Sequence, residues 1–61
     1  KAPFQKLDQA FIARAGFPAV IGTRVVITTI VNIGTKRAPV WWICGDGMWF
    51  HAEDLSPTPV L

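Results

Sequence analysis

Cysteine and histidine are the residues best suited to nucleophilic chemistry, and each occurs once in this chain. Cys44 and His51 fall on opposite arms of a predicted hairpin, so a thiol–imidazole pair is geometrically conceivable. Both positions lie among tryptophans, and an apolar setting disfavours the thiolate that such a pair requires. No oxyanion-stabilising motif accompanies them. The sequence therefore predicts a packed cysteine and a partly exposed histidine, with no catalytic residues.

The acidic residues do not form a recognisable catalytic or metal site. Glu53 and Asp54 are adjacent, and adjacent side chains on a turn point apart, so they make no general acid/base pair. Together with Asp8 they do not supply the clustered oxygen ligands of a cation site. A single cysteine and a single histidine also exclude a zinc cluster. We therefore expect no enzyme, no metal, no cofactor and no small-molecule substrate.

The three tryptophans flank a two-residue link, Asp46-Gly47, between apolar runs. This dipeptide is typical of a type I′ hairpin, because both turn residues must adopt positive φ. The predicted arms are residues 40–44 and 48–51. The register set by such a turn opposes Cys44 to Trp49, and places Ile43–Phe50 and Trp42–His51 as the next pairs along the ladder.

Both faces of this predicted hairpin are apolar. One face carries Trp42, Cys44, Trp49 and His51, and the other carries Trp41, Ile43 and Phe50. We assign Ile43 and Phe50 to the core, while the reverse assignment, which a one-residue register slip would produce, stays open. In either case at least one tryptophan should be exposed in the monomer. Exposed apolar patches of this kind usually mark interaction surfaces.

Chain length limits how such a surface can be stabilised. The 61 residues predict one domain, 1–61, and a domain of this size buries only about 60% of its unfolded surface. One cysteine cannot form an intramolecular disulfide, so aromatic packing or oligomerisation must contribute. A hydrophobic content of 51% favours a subunit interface.

No apolar run is long enough to span a membrane and no signal peptide is evident, so we expect a cytoplasmic protein with no membrane partner.

Two further elements are predicted upstream of the hairpin. An apolar stripe at helical spacing, with Pro3 in the first turn and Gly16 as a stop, predicts a short α-helix over residues 3–15; its members are Phe4, Leu7, Phe11 and Ala15.

A β-branched run over residues 23–33 predicts a long strand, with a bend or bulge near Thr28-Thr29. In regular alternation Val25, Ile27, Thr29, Val31 and Ile33 share one face. Residues 34–39 form a polar loop, Glu53 to Leu55 a helical turn, and residues 58–61 a tail.

The hairpin pattern resembles the second half of an SH3-like barrel. In SH3 domains a Trp-Trp strand is followed by a hairpin turn and then by a one-turn 3₁₀ helix, and residues 22–57 are similar to this pattern. The resemblance implies a mainly β fold, a small SH3-like barrel with a short N-terminal α-helix, of prokaryotic or phage type. It places Trp41 at the ligand-facing tryptophan of an SH3 groove. His51 and Asp54 stand where that groove has proline and tyrosine, which argues against polyproline recognition.

The sequence thus predicts a non-enzymatic protein-interaction module that associates with itself or with another protein. The expected contact residues are Trp41, Trp42, Trp49 and His51, with Lys36, Arg37 and Arg24 as the polar and basic side chains. A nucleic-acid-binding barrel is the alternative, because small barrels stack bases on aromatic rings beside basic groups. The net charge of +2 is thin for that function, since a basic stripe would be expected.

Overall fold

The chain forms a five-stranded antiparallel sheet. The computed structural model describes residues 2–14 and 20–60. Its strands are β1 (Gln9–Ile12), β2 (Arg24–Asn32), β3 (Trp41–Gly45), β4 (Met48–His51) and β5 (Leu55–Ser56), with a 3₁₀ turn at Ala52–Asp54. The strands lie in the order β4-β3-β2-β1-β5. The mainly β prediction is confirmed, and the sheet also takes in β1, which lies upstream of residue 22.

The long strand β2 joins the two halves of the sheet. Its first part pairs with β1 and its second part with β3. Between Ile27 and Thr29 the pairing with β3 shifts, so that β2 has one extra residue there. The side chain of this extra residue, Thr28, donates a hydrogen bond of 3.2 Å to the carbonyl of Cys44. The predicted bulge is therefore confirmed, and it lets one β-branched run serve both halves.

The core lies on one side of this bent sheet. Its fully buried side chains are Ile12, Val25, Ile27 and Ile43, and Phe4, Ala10, Phe50 and Leu55 complete it. Each large member contributes about 1.5–3 kcal/mol of transfer free energy when buried. The assignment of Ile43 and Phe50 to the core is confirmed, and the reversed faces are excluded.

The predicted helix over residues 3–15 is wrong. Within the described part of this segment, residues 3–14, there is no helix, and Gln9–Ile12 is a strand. Ala10 and Ile12 are fully buried, at the two-residue spacing of a strand, whereas Leu7 of the helical stripe is 79% exposed. A three-turn helix gains little stability alone, while β1 forms ladder hydrogen bonds with both β2 and β5. Ala15 and Gly16 lie outside the described residues.

The β3–β4 hairpin has the predicted turn and register. Asp46 and Gly47 have φ values of 52° and 76°, as the two central positions of a type I′ turn require. The pairs run from Gly45 opposite Met48 to Trp42 opposite His51. The 3₁₀ turn Ala52–Asp54 follows directly, close to the helical turn predicted at Glu53 to Leu55.

The loop between β2 and β3 is organised by Asn32. Its side-chain oxygen accepts hydrogen bonds from the amides of Gly34 (2.9 Å) and Val40 (3.0 Å), so it holds both ends of the loop. Thr35 closes the tip by accepting a bond from the Ala38 amide at 2.9 Å. Residues 33–40 are all exposed, as predicted for the polar loop.

Ion pairs join the end of β1 to the 3₁₀ turn. Arg14 contacts Glu53 Oε1 through Nη2 and Asp54 Oδ1 through Nε, both at 3.2 Å. The amides of Ala13 and Arg14 also donate to the Asp54 carbonyl. None of the helical structure in residues 2–14 and 20–60 has the length and apolar character that a membrane crossing requires.

Candidate interaction surface

The hairpin side that faces away from the core carries a cluster of aromatic and aliphatic side chains. We call this cluster the outer aromatic face; it comprises Val31, Ile33, Trp42, Cys44, Trp49 and His51. Because side chains alternate along a strand, the inward positions Ile43 and Phe50 leave their neighbours to point outward. Trp49 is 51% exposed, which confirms that a tryptophan lies at the surface of the monomer.

The bulge in β2 determines which aliphatic residues join this face. Before the bulge Val25 and Ile27 point into the core; after it, Ile30 pairs with the buried Ile43 and Val31 pairs with Trp42. The extra residue inverts the alternation, so Val31 and Ile33 do not share a face with Val25 and Ile27 as regular alternation predicts. The predicted five-residue face is therefore wrong beyond Thr28.

Four of these side chains form an open apolar groove. Val31, Ile33, Trp42 and Trp49 line it, and its volume is about 390 Å³. Val31 is 40% exposed and Ile33 55% exposed, so the aliphatic wall is as accessible as the aromatic one. Among residues 2–14 and 20–60, no charged side chain lines the groove. Such a groove suits apolar contact and offers nothing to hold a phosphate or a metal ion.

The aromatic rings of the outer face contact each other. Trp42 meets Trp49 edge to face, with ring centroids 6.3 Å apart and planes at 86°. His51 stacks on Trp42, with centroids 4.5 Å apart and planes at 28°. Edge-to-face and stacked aromatic pairs each add about 0.5–1.5 kcal/mol beyond area burial. Trp42 is therefore held by two aromatic neighbours, and one of them, Trp49, is exposed to solvent.

Cys44 and His51 share this face without forming a reactive pair in the described residues. His51 is committed to stacking on Trp42, and none of the hydrogen bonds of residues 2–14 and 20–60 joins it to Cys44. Cys44 is a half-buried thiol directly opposite Trp49. Groups of histidine, cysteine and acidic residues able to hold a metal ion do not occur in the described part of the chain.

The basic residues predicted to accompany the tryptophans do not line the groove. Arg24 is the first residue of β2 and pairs with Phe11 of β1. It precedes Val31 by seven residues, a distance of roughly 20 Å along the strand. Lys36 and Arg37 are exposed at the tip of the Asn32-anchored loop. Trp42, Trp49 and His51 thus lie together, while Arg24, Lys36 and Arg37 are not among the residues that line the groove.

Trp41 belongs to the opposite side of the hairpin. It is half-buried and packs against the core cluster. Its remaining surface lines a second groove of about 290 Å³, together with Pro39, Val40, His51, Ala52 and Glu53. This groove includes Trp41 and His51, two of the three positions that the SH3 resemblance assigns to a ligand groove, and the third, Asp54, does not line it. Its rim is partly polar, and Glu53 is held by Arg14.

Sequence reasoning missed Val31 and Ile33 as members of the outer aromatic face. The signal was present, because a bulge near Thr28-Thr29 implies that the inward and outward positions exchange beyond it. No family model matches this sequence, and it has no significant match among curated proteins or solved structures. The function must therefore be argued from the surface itself.

Proposed function

We propose that this chain is a non-enzymatic protein-interaction module that associates with a second copy of itself through the outer aromatic face. The observation that carries the proposal is the apolar groove with the half-exposed Trp49 at its side. Tryptophan is over-represented among residues that dominate binding energy, particularly where a ring can be fully desolvated. Trp49 is partly pre-organised by its contact with Trp42, which lowers the entropy cost of ordering it.

We also propose that the sheet is a small SH3-like barrel. The strand order β4-β3-β2-β1-β5 and the shared, bent β2 support this assignment. The 3₁₀ turn between β4 and β5 supports it further, since the SH3 pattern places a one-turn 3₁₀ helix directly after the hairpin. Function does not follow from the fold, because small barrels of this kind serve many partners.

A second copy is the favoured partner because the groove lacks charge. In a two-fold dimer the same patch meets itself, so any charge within it would face a like charge. The groove of Val31, Ile33, Trp42 and Trp49 avoids that repulsion. Nucleic acid is the alternative partner, and it would require cations beside the stacking rings. Arg24, Lys36 and Arg37 do not line the groove, which favours the protein partner.

The test is sedimentation of the native protein at low and high salt, with and without a mixed DNA and RNA pool. We expect a concentration-dependent dimer whose affinity changes little with salt and which ignores the nucleic acid. Trp49→Ala should abolish the dimer. Ile21→Ala is a matched control, because Ile21 is also 51% exposed but lies outside the outer aromatic face.

Two results would contradict the proposal. A monomer at all concentrations would remove self-association. A monomer that binds the nucleic-acid pool at low salt and releases it at high salt would establish the alternative, because release of counterions makes such binding strongly salt-dependent. In that case Lys36→Ala with Arg37→Ala should weaken binding more than Trp49→Ala does.

A further inference from the structure

The two edges of the sheet differ in how well they are protected from pairing with another chain. The β5 edge is two residues long and is followed by Pro57 and Pro59, which cannot donate ladder hydrogen bonds. The β4 edge, Met48–His51, is longer and contains no lysine, arginine, aspartate, glutamate or proline. Short strands, charges and prolines are the usual protection of exposed edges, so β4 is the edge open to pairing.

The hairpin register shows which backbone groups of β4 face outward. Hydrogen-bonded and non-hydrogen-bonded pairs alternate along an antiparallel ladder. Gly45 and Met48 close the two-residue turn, so Phe50 is the next residue bonded to β3. The N–H groups of Trp49 and His51 therefore point away from β3. Among the backbone hydrogen bonds of residues 2–14 and 20–60, none reaches this side of β4.

We infer that the second copy joins through this edge, with the two β4 strands antiparallel about a two-fold axis at Trp49. This inference rests on the proposed self-association and specifies its geometry. The two Trp49 residues exchange N–H to C=O bonds, and His51 N–H donates to the Gly47 carbonyl of the other copy. Both Trp49 rings then lie on one face of a continuous sheet, so the outer aromatic faces of the two copies become neighbours.

The groove side chains alone do not supply the area that a dimer needs, which supports the use of the edge. A standard interface buries about 800 Å² per partner, which is roughly a fifth of the 4344 Å² that this chain exposes. A fully buried aromatic ring supplies only about 150–250 Å², so four groove side chains, already partly buried, fall well short. Backbone pairing along β4 adds contact directly beside Trp49, and it places no charged side chain of the edge against its copy.

Replacing His51 with proline tests the backbone contact separately from the side chain. His51 has φ −70° and ψ 141°, which a proline adopts without strain. Its N–H is not bonded to β3, so His51→Pro should leave the hairpin intact while removing the outward donor. His51→Ala is the matched control, because it also loses the imidazole that stacks on Trp42 but keeps the N–H. Thermal unfolding of both variants at low concentration checks the fold.

The expected result is that His51→Pro weakens the dimer at least about tenfold more than His51→Ala does, because both variants lose the imidazole and only the proline loses the outward N–H. If the wild type dimerises and both variants dimerise equally well, the edge pairing is wrong and association through the aromatic face still stands. If the wild type is a monomer at every concentration, the proposed self-association fails and the edge pairing fails with it.

Amide hydrogen exchange of the wild-type protein provides a second measurement that needs no variant. The Phe50 amide should be protected at every concentration, because it bonds to β3. The Trp49 amide should exchange rapidly in the monomer and become protected when the concentration favours the dimer. Rapid exchange of the Trp49 amide in a dimer that sedimentation has demonstrated would overturn the edge pairing, whatever the behaviour of His51→Pro.

Discussion

The two faces of the β3–β4 hairpin carry similar side chains in different surroundings. On the inner face Ile43 is fully buried and Phe50 is only 7% exposed. On the outer face Trp49, directly next to Phe50 in the chain, is 51% exposed. Composition does not separate the two, since both faces are apolar and aromatic. What separates them is the rest of the sheet, which bends over the inner face and leaves the outer one open.

The bulge in β2 shows that one extra residue can turn the side chains that follow it from the core towards solvent. Thr28 interrupts the alternation of β2, so Ile30 faces the core and Val31 faces outward. Without the bulge, β2 would send Val31 and Ile33 inward and the outer groove would lose its aliphatic wall. The same strand, β2, thus supplies side chains both to the core and to the outer groove.

The largest expected difference between the faces is between two neighbours on β4. Phe50→Ala should cost about 3–5 kcal/mol, because it leaves a cavity in the core. A 61-residue chain has a total stability of roughly 3–9 kcal/mol, so this variant should lose a large part of it. Trp49→Ala should cost about 1 kcal/mol, chiefly the edge-to-face contact with Trp42. Urea unfolding of the two variants, monitored by far-ultraviolet circular dichroism, measures the difference. Equal losses would show that the outer face is part of the core.

The adjacent residues Trp41 and Trp42 give a smaller difference. Trp41 is half-buried against the core cluster, and Trp41→Ala should cost about 2 kcal/mol. Trp42→Ala should cost about 1–3 kcal/mol in the monomer, because it loses the contacts with Trp49 and His51, and it should also weaken the dimer, since Trp42 supports Trp49. Urea unfolding together with sedimentation of both variants makes the comparison. A dimer that depends on Trp41 and not on Trp42 would move the interface to the second groove.

The hairpin could be predicted from sequence because its determinants are local. Asp46-Gly47 fixes the turn, and the turn fixes the register of every pair up to Trp42–His51. The faces followed directly from that register. Assigning Ile43 and Phe50 to the core needed only the further assumption that small domains have one core.

The N-terminal strand could not be predicted in the same way because its determinants are distant. Residues 9–12 alternate over only four positions, too few to outweigh a predicted helical stripe that runs from Phe4 to Ala15. The deciding hydrogen bonds come from β2 and from β5, more than ten and more than forty residues away. The members of the outer groove were missed for a related reason, since the effect of the bulge extends along β2 beyond Thr28.

Ile30 and Val31 test the inverted alternation directly. Ile30→Ala should cost about 1–2 kcal/mol, because Ile30 packs against the core cluster after the bulge. Val31→Ala, with 40% of the side chain already exposed, should cost less than about 0.5 kcal/mol. Chemical unfolding at a concentration where the protein is monomeric measures both. A greater loss for Val31→Ala would mean that the alternation continues through Thr28 unchanged.

The smallest expected effect on stability concerns the charged side chains, which do not line the outer groove. Arg14 bridges Glu53 and Asp54 at 3.2 Å, but the Arg14 and Glu53 side chains are 63% and 72% exposed. Such pairs contribute at most about 1 kcal/mol, so Arg14→Ala should lower stability by less than that at low salt. High salt should reduce the difference from the wild type, because exposed charges are screened.

Arg24→Ala is the matched control, since Arg24 is an exposed strand arginine for which the described residues contain no ion pair. It should change stability little at either salt concentration. Dimerisation should differ from the Arg14 effect: salt should leave it nearly unchanged in both variants, because no aspartate, glutamate, lysine or arginine among the described residues lines the groove or lies on the β4 edge. A dimer that dissociates in salt, in the wild type or in either variant, would place charged residues in the interface and contradict an interface built on an uncharged face and edge.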